Sequence, residues 1–197
     1  MGRPTRPLLA APDSAARSMV GPMGIPTLII VSGPGGSGKT TLAHQLAATL
    51  GCPALCRDEI KEGMVASNPG FVPATSDQLT ERTYAVFFEA IALLLKAEVT
   101  LVAEAAFQHS LWWRGLEPLT NLAMLRIVRC QAPAELTRQR ALTRIAQPTR
   151  AAHADTEHFS VQRTFDAIHL NAPTIDVDTS DGWDPDLEEI AAFCRRR

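Results

Sequence analysis

Thr27-Leu28-Ile29-Ile30-Val31-Ser32-Gly33-Pro34-Gly35-Gly36-Ser37-Gly38-Lys39-Thr40-Thr41 is the stretch on which the reading of this chain turns. Thr27 to Val31 is a short β-branched apolar run, the composition of a strand buried on both faces in a parallel sheet. Four glycines follow within six residues, and from Lys39 the apolar residues Leu42, Ala43, Leu46, Ala47 and Leu50 form the one-sided stripe of a helix packed on a sheet, with Gly51 as its stop. Gly33 to Thr40 fits GxxxxGK[ST]. In that pattern glycines let the backbone amides turn toward phosphate, the helix N-terminus adds the positive end of its dipole, Lys39 reaches the β- and γ-phosphates, and Thr40 sets its hydroxyl on magnesium.

A competing pattern overlaps it. Gly33, Gly35 and Gly38 also spell GxGxxG, and Asp58 lies 20 residues past Gly38, where a dinucleotide site places its ribose-binding acid. The Lys39-Thr40 pair decides between them, because a triphosphate site requires it and a dinucleotide site does not; the chain is also short for a cofactor domain plus a substrate domain.

Outward from the loop, the pattern alternates. Ala54-Leu55-Cys56 reads as a second strand, with Arg57, Asp58 and Glu59 at its carboxyl end, the edge where open α/β sheets bind ligands. Asn68 to Pro73 reads as a loop. Thr75 and Gln78 then have capping-box spacing ahead of a helix with Tyr84, Phe87, Phe88, Ile91, Leu94 and Leu95 on one face, a core stripe. Val99 to Ala103 is predicted as a third strand ending in Glu104, Met124 to Val128 as a fourth, and Thr174 to Val177 as a last, with Pro133 opening an arginine-rich helix and a closing helix over about Pro185 to Phe193. Strands alternating with helices indicate a doubly wound, mostly parallel α/β sheet of about five strands.

The bulk numbers agree with one such core. The chain has 197 residues, 46% hydrophobic and 20% charged, and a formal net charge of -2, which gives no sign of a basic nucleic-acid surface. Of the 19 basic residues only Lys39, Lys61 and Lys96 are lysines; codon bias accounts for that skew as well as anion recognition does. Cys52, Cys56, Cys130 and Cys194 form no CxxC pair and have no histidines at zinc-finger spacing, so neither a structural metal nor a disulfide framework is expected, and a reducing cytoplasm fits. No apolar run approaches the ~20 residues of a membrane span. Residues 1–25, broken by Pro4, Pro7, Pro12 and Pro22, read as a flexible tail rather than a signal peptide; Arg3, Arg6 and Arg17 admit a transit peptide as the lesser alternative. Residues 26–197 are then one domain.

Gly33 to Thr41 together with Cys56-Arg57-Asp58-Glu59-Ile60-Lys61 resembles the P-loop kinase group that includes the 5′-kinase domain of polynucleotide kinase, chloramphenicol phosphotransferase and zeta-toxin-like kinases. The resemblance covers most of Pro26 to Asp178 and implies a P-loop NTPase fold with strand order 2-3-1-4-5 and a helical lid at about residues 133–155. It implies ATP and Mg2+ as cofactors, held by Gly33, Pro34, Gly35, Gly36, Ser37, Gly38, Lys39, Thr40 and Thr41, and it assigns to Asp58 the role of base toward the acceptor hydroxyl. A carboxylate at that strand end can accept the proton and orient the oxygen; it can also merely cap the helix beginning near Glu59. Glu104 stands where a Walker B acid holds magnesium, usually through water, though many relatives have aspartate there; contact with the acceptor, or with Lys39, are its other readings.

Arg138, Arg140 and Arg144 fall where related kinases carry the lid, and the four-residue spacing of Arg140 and Arg144 puts both on one helical face. Two such guanidiniums can clamp phosphates, while a surface helix paired with Glu135 has the same composition. Trp112 and Trp113 can stack on a flat acceptor, packing being the commoner use. Asp155, His158 and His109 lack a third ligand at useful spacing, so no zinc or iron is assigned to them. The favoured activity is transfer of the γ-phosphoryl group of ATP to a small-molecule hydroxyl. A polynucleotide 5′-hydroxyl and a nucleotide-binding switch with little transfer are the alternatives.

Overall fold

The computed structural model describes residues 24–72, 77–145 and 165–196; of residues 110, 111, 144 and 145 it describes the backbone alone. Five strands, β1 (Thr27–Ser32), β2 (Ala54–Cys56), β3 (Leu101–Glu104), β4 (Met124–Gln131) and β5 (Thr174–Asp178), form an all-parallel sheet in the order β2-β3-β1-β4-β5. The helices are α1 (Lys39–Leu50), α2 (Arg57–Ala66), α3 (Gln78–Lys96), α4 (His109–Leu116), α5 (Ala134–Ile145) and α6 (Leu187–Arg195), with a 3-10 turn over Glu117–Asn121. The sheet order is the one implied by the kinase resemblance.

The period-two alternation of β1 divides the core. Leu28 and Ile30 face a cluster containing Phe87, Ile91 and Leu95 of α3, Phe107, and Trp112 and Leu116 of α4. Ile29 and Val31 face the opposite cluster, built from Leu42, Ala43, Leu46 and Ala47 of α1 and Ile190, Ala191 and Cys194 of α6. A sheet with both faces covered needs strands apolar at every position, which is why Leu28 to Val31 are each at most 1% exposed. The chain leaves β1 toward β2 on one side and later returns past β1 to β4 on the other, so the strand order reverses beside β1, where α/β sheets open a crevice at their carboxyl edge.

Several boundaries differ from the sequence expectation: β4 runs on to Gln131 rather than ending at Val128, α6 spans Leu187–Arg195 rather than Pro185 to Phe193, and three further differences have a visible cause. The third strand begins at Leu101 rather than Val99, because the Val99 amide closes the end of α3 on Leu94 O and the Thr100 hydroxyl accepts from the Thr27 amide. Helix α3 is capped by Asp77, whose carboxylate accepts from the Thr80 amide at 2.7 Å; Thr75, the predicted cap, lies outside the described residues. Helix α2 starts at Arg57, so Asp58 sits inside its first turn rather than capping it. All four cysteines are free. Among the described residues no helix is long and apolar enough to cross a membrane.

Candidate active site

The N-terminus of α1 differs from those of α3 and α6. Asp77 caps α3, and Asp186 with Glu189 forms a capping box on α6. Helix α1 begins after Gly38, whose φ of 74° only glycine adopts readily, with no acidic residue in its first turn and no side-chain cap among the described residues. Its leading amides and dipole are therefore left for an external anion. Ser37 carries a buried hydroxyl with no hydrogen-bond partner among the described residues, a second sign that the loop from Gly33 to Thr40 is shaped for polar contacts beyond those that the described residues supply.

Around that loop the strand ends converge. Lys39 is 7% exposed and its ammonium donates to Pro34 O at 2.8 Å, so it lies folded across its own loop. The Thr40 hydroxyl donates to Glu104 Oε2 at 3.1 Å, and Glu104, the last residue of β3, is 3% exposed. Lys39 and Glu104 also both act on the buried Cys130 thiol at the far end of β4. Its pKa is pushed up to about 12, by burial first, with the lysine charge opposing and the glutamate charge adding. Two oxygens, one a carboxylate, beside the glycine loop make a hard donor set of the kind that magnesium takes.

Asp58 accepts from Arg57 Nη1 at 2.9 Å, and the Arg57 guanidinium lies 5.9 Å from the Tyr84 ring centre. Tyr84 in turn packs on Trp112, with ring centres 4.1 Å apart. The first turn of α2 is thus braced against the aromatic core, and Tyr84, its phenol pushed above the usual range by burial, stays neutral. Lys61, one turn further along α2, is buried in an ion pair with Asp77 at 3.0 Å and also donates to Thr80, pinning α2 to α3. Nothing in the local sequence marked that pair.

Helix α5 packs directly on the loop. A methyl group on Gly36 would fall on the Thr137 carbonyl, with the carbonyl carbon 2.9 Å away. Arg140 donates to Thr179 O at 2.9 Å and Ser180 O at 3.1 Å, and the Thr179 hydroxyl donates to Ser37 O at 3.0 Å. Thr179, which follows β5, is a site-bordering residue that sequence reading missed: it is 142 residues from its partner, with no motif around it. Arg138 pairs with Glu135 at 3.6 Å on the exposed face of α5. Arg144 is placed in α5 by its backbone, and its side chain lies outside the described residues, as do residues 1–23, 146–155 of the expected lid, Asp155 and His158. Trp112 is buried among Phe87, Phe88 and Phe107, while Trp113 stacks on His109, whose Nδ1 accepts from the His169 amide.

A family model described as an AAA domain, AAA_33, matches residues 28–167. The chain belongs to this family. A solved structure from Chloroflexus aurantiacus, of a protein assigned as a kinase, is 27% identical, covers 87% of this chain and 98% of its own, and superposes with a TM-score of 0.75. An unliganded sugar kinase from Janibacter sp. HTCC2649 (18% identity, 85% of this chain and 94% of its own, TM-score 0.60) shares the fold. So does the APS kinase CysC of Mycobacterium tuberculosis, solved with AMPPNP and APS (14%, 89% and 100%, TM-score 0.61). Among curated proteins none matches the sequence. With the sheet order and the glycine loop, these likenesses make the AAA domain described here a kinase-like P-loop domain.

Proposed function

We propose that the chain is an ATP-dependent phosphotransferase whose acceptor is the hydroxyl of a small molecule. The observation that carries this reading is the contact of Thr40 with the buried Glu104 at the uncapped end of α1, beside the strand end that bears Asp58. Kinase-like neighbours of similar length support it.

ATP with Mg2+, when bound, supplies the transferable phosphoryl group and a dication that spreads its charge. The residues Gly33 to Thr41 hold the phosphates, and Lys39 exchanges its bond to Pro34 O for phosphate oxygens. Thr40 and Glu104, already in contact, would hold the metal. Asp58, steadied by Arg57, takes the acceptor's proton as its oxygen bonds to phosphorus and the bond to ADP breaks. Arg140 and Arg144 of α5, at the root of the lid expected over residues 133–155, stabilise charge on the transferred group.

The test is magnesium-dependent ATP consumption by wild-type and Lys39→Ala protein across a panel of sugars, nucleosides, aminoglycoside and phenicol antibiotics, and 5′-hydroxyl oligonucleotides. Stimulation by one small molecule, lost in the variant, is the expected result. Stimulation by oligonucleotides alone moves the acceptor to nucleic acid, and nucleotide binding without stimulation by any acceptor leaves a binding module.

A further inference from the structure

His44, Cys56 and Glu59 come from three elements, α1, the end of β2 and the first turn of α2, yet their donor atoms all lie within 4.8 Å of one another. His44 Nε2 is 3.6 Å from Cys56 Sγ and 2.7 Å from Glu59 Oε1. Two ligands of a tetrahedral zinc ion, one imidazole nitrogen and one thiolate, stand about 3.5 Å apart given Zn–N near 2.05 Å and Zn–S near 2.3 Å. The His44–Cys56 spacing therefore already matches an edge of that tetrahedron. Nitrogen and carboxylate oxygen need roughly 3.4 Å on the same geometry, so Glu59 must withdraw by somewhat under an ångström. Its exposed side chain, with 44% of its surface accessible, is free to make that adjustment.

We propose that this cluster binds a thiophilic divalent cation of the zinc class, with His44 Nε2, Cys56 Sγ and one Glu59 oxygen as protein ligands and water in the fourth position. Charge favours it: a neutral imidazole, a thiolate and a carboxylate cancel a dication. Binding expels the Cys56 thiol proton to solvent, and the imidazole proton resides on Nδ1 so that the Nε2 lone pair is free to ligate; no electrons are exchanged. Glu104, paired with Cys56 in the sheet, adds a further acidic side chain beside the cluster. The nitrogen and sulfur donors set the cluster apart from the Thr40–Glu104 oxygen pair, although the two are neighbours: His44 is one turn beyond Thr40 on α1, and Cys56 pairs with Glu104 in the sheet.

The experiment titrates Co2+ into the full chain without nucleotide and follows the near-ultraviolet sulfur-to-cobalt charge-transfer band, with metal content measured after gel filtration in Zn2+. One equivalent is expected, with the band intact in Cys52→Ser and under excess magnesium, absent in Cys56→Ser, and cobalt affinity in His44→Gln lowered by at least about tenfold. A band that persists in Cys56→Ser, that magnesium displaces, or that never appears overturns the proposal. Should Cys56→Ser fail the circular-dichroism check for folding, His44→Gln on the exposed face of α1 decides the matter. The readout requires neither ATP nor an acceptor, so its failure is separable from failure of the kinase reading.

Discussion

Gly36 concentrates two demands in one residue. Its φ of 79° disfavours any side chain, and a Cβ there would run into the backbone of Thr137 in α5. Gly70 has a similar φ of 87°, with nothing among the described residues within 4 Å of the same imagined atom. Gly70→Ala should then cost only the left-handed conformation, about 1–2 kcal/mol, and leave nucleotide affinity untouched. Gly36→Ala should cost more than Gly70→Ala and abolish nucleotide binding, because α5 must move off the loop. Urea unfolding and a nucleotide titration on both variants check this; equal losses in stability would mean that crowding by α5 contributes nothing. At this scale the sequence was informative where a motif fixes the spacing, as for Gly33 to Thr40. It was silent on Thr179 and on the Lys61–Asp77 pair, whose partners are brought together only by folding. The His44–Cys56–Glu59 cluster escaped for the same reason: a search for paired cysteines sees ligands near in sequence, and these are near only in space.

At the scale of elements, α5 and the segment after β5 act as a strap over the loop. Arg140 ties them through two carbonyls, and Thr179 passes the tie to Ser37. Arg140→Ala should lower stability by roughly 1–2 kcal/mol through the two charged hydrogen bonds. If Arg140 also meets the transferred phosphoryl group, kcat should fall by about a hundredfold or more with little change in nucleotide affinity. A stability loss without that rate loss would leave Arg140 a strut alone. The edge pair of strands carries a pH signature. Arg129 holds Asp176 by two hydrogen bonds of 2.6 and 2.8 Å, and that bonding keeps the Asp176 carboxyl below its usual value of 3.8. A lowered folded pKa contributes stability that is fully present above 3.8 and is lost as pH falls through the folded value. Asp176→Asn should accordingly be slightly less stable than wild type at pH 7, by less than about 1 kcal/mol for so exposed a pair. The two proteins should converge in paired thermal melts as pH falls well below 3.8; a gap that persists in that limit would assign the loss to packing. Element boundaries were legible to within a few residues where apolar periodicity is strong. They slipped where backbone groups serve two elements at once, as at Val99, whose amide belongs to the end of α3.

Over the whole molecule, the sheet order gathers residues from four strand ends onto one edge: the glycine loop after β1, Asp58 after β2, Glu104 closing β3 and Thr179 after β5. The alternation of strands and helices was enough to read the layers, since apolar runs and one-sided stripes record burial directly. The order of strands is not a local property, and it entered through the family resemblance. Because these residues belong to separate elements of one cooperative core, nucleotide binding at the edge should stabilise the entire fold. ATP with magnesium at a hundred times its Kd contributes about 2.7 kcal/mol by mass action. For a chain of this size each kcal/mol moves Tm by about 2–4 °C, so a rise of roughly 5–10 °C is expected. Lys39→Ala should show little of that rise, and magnesium removal should reduce it in the wild type through loss of the Thr40–Glu104 contribution. Cys52→Ser, away from the loop, should keep the full shift. A wild-type protein whose Tm is indifferent to saturating ATP would remove the phosphate loop from nucleotide binding, whatever its sequence, and with it the assignment of Lys39, Thr40 and Glu104.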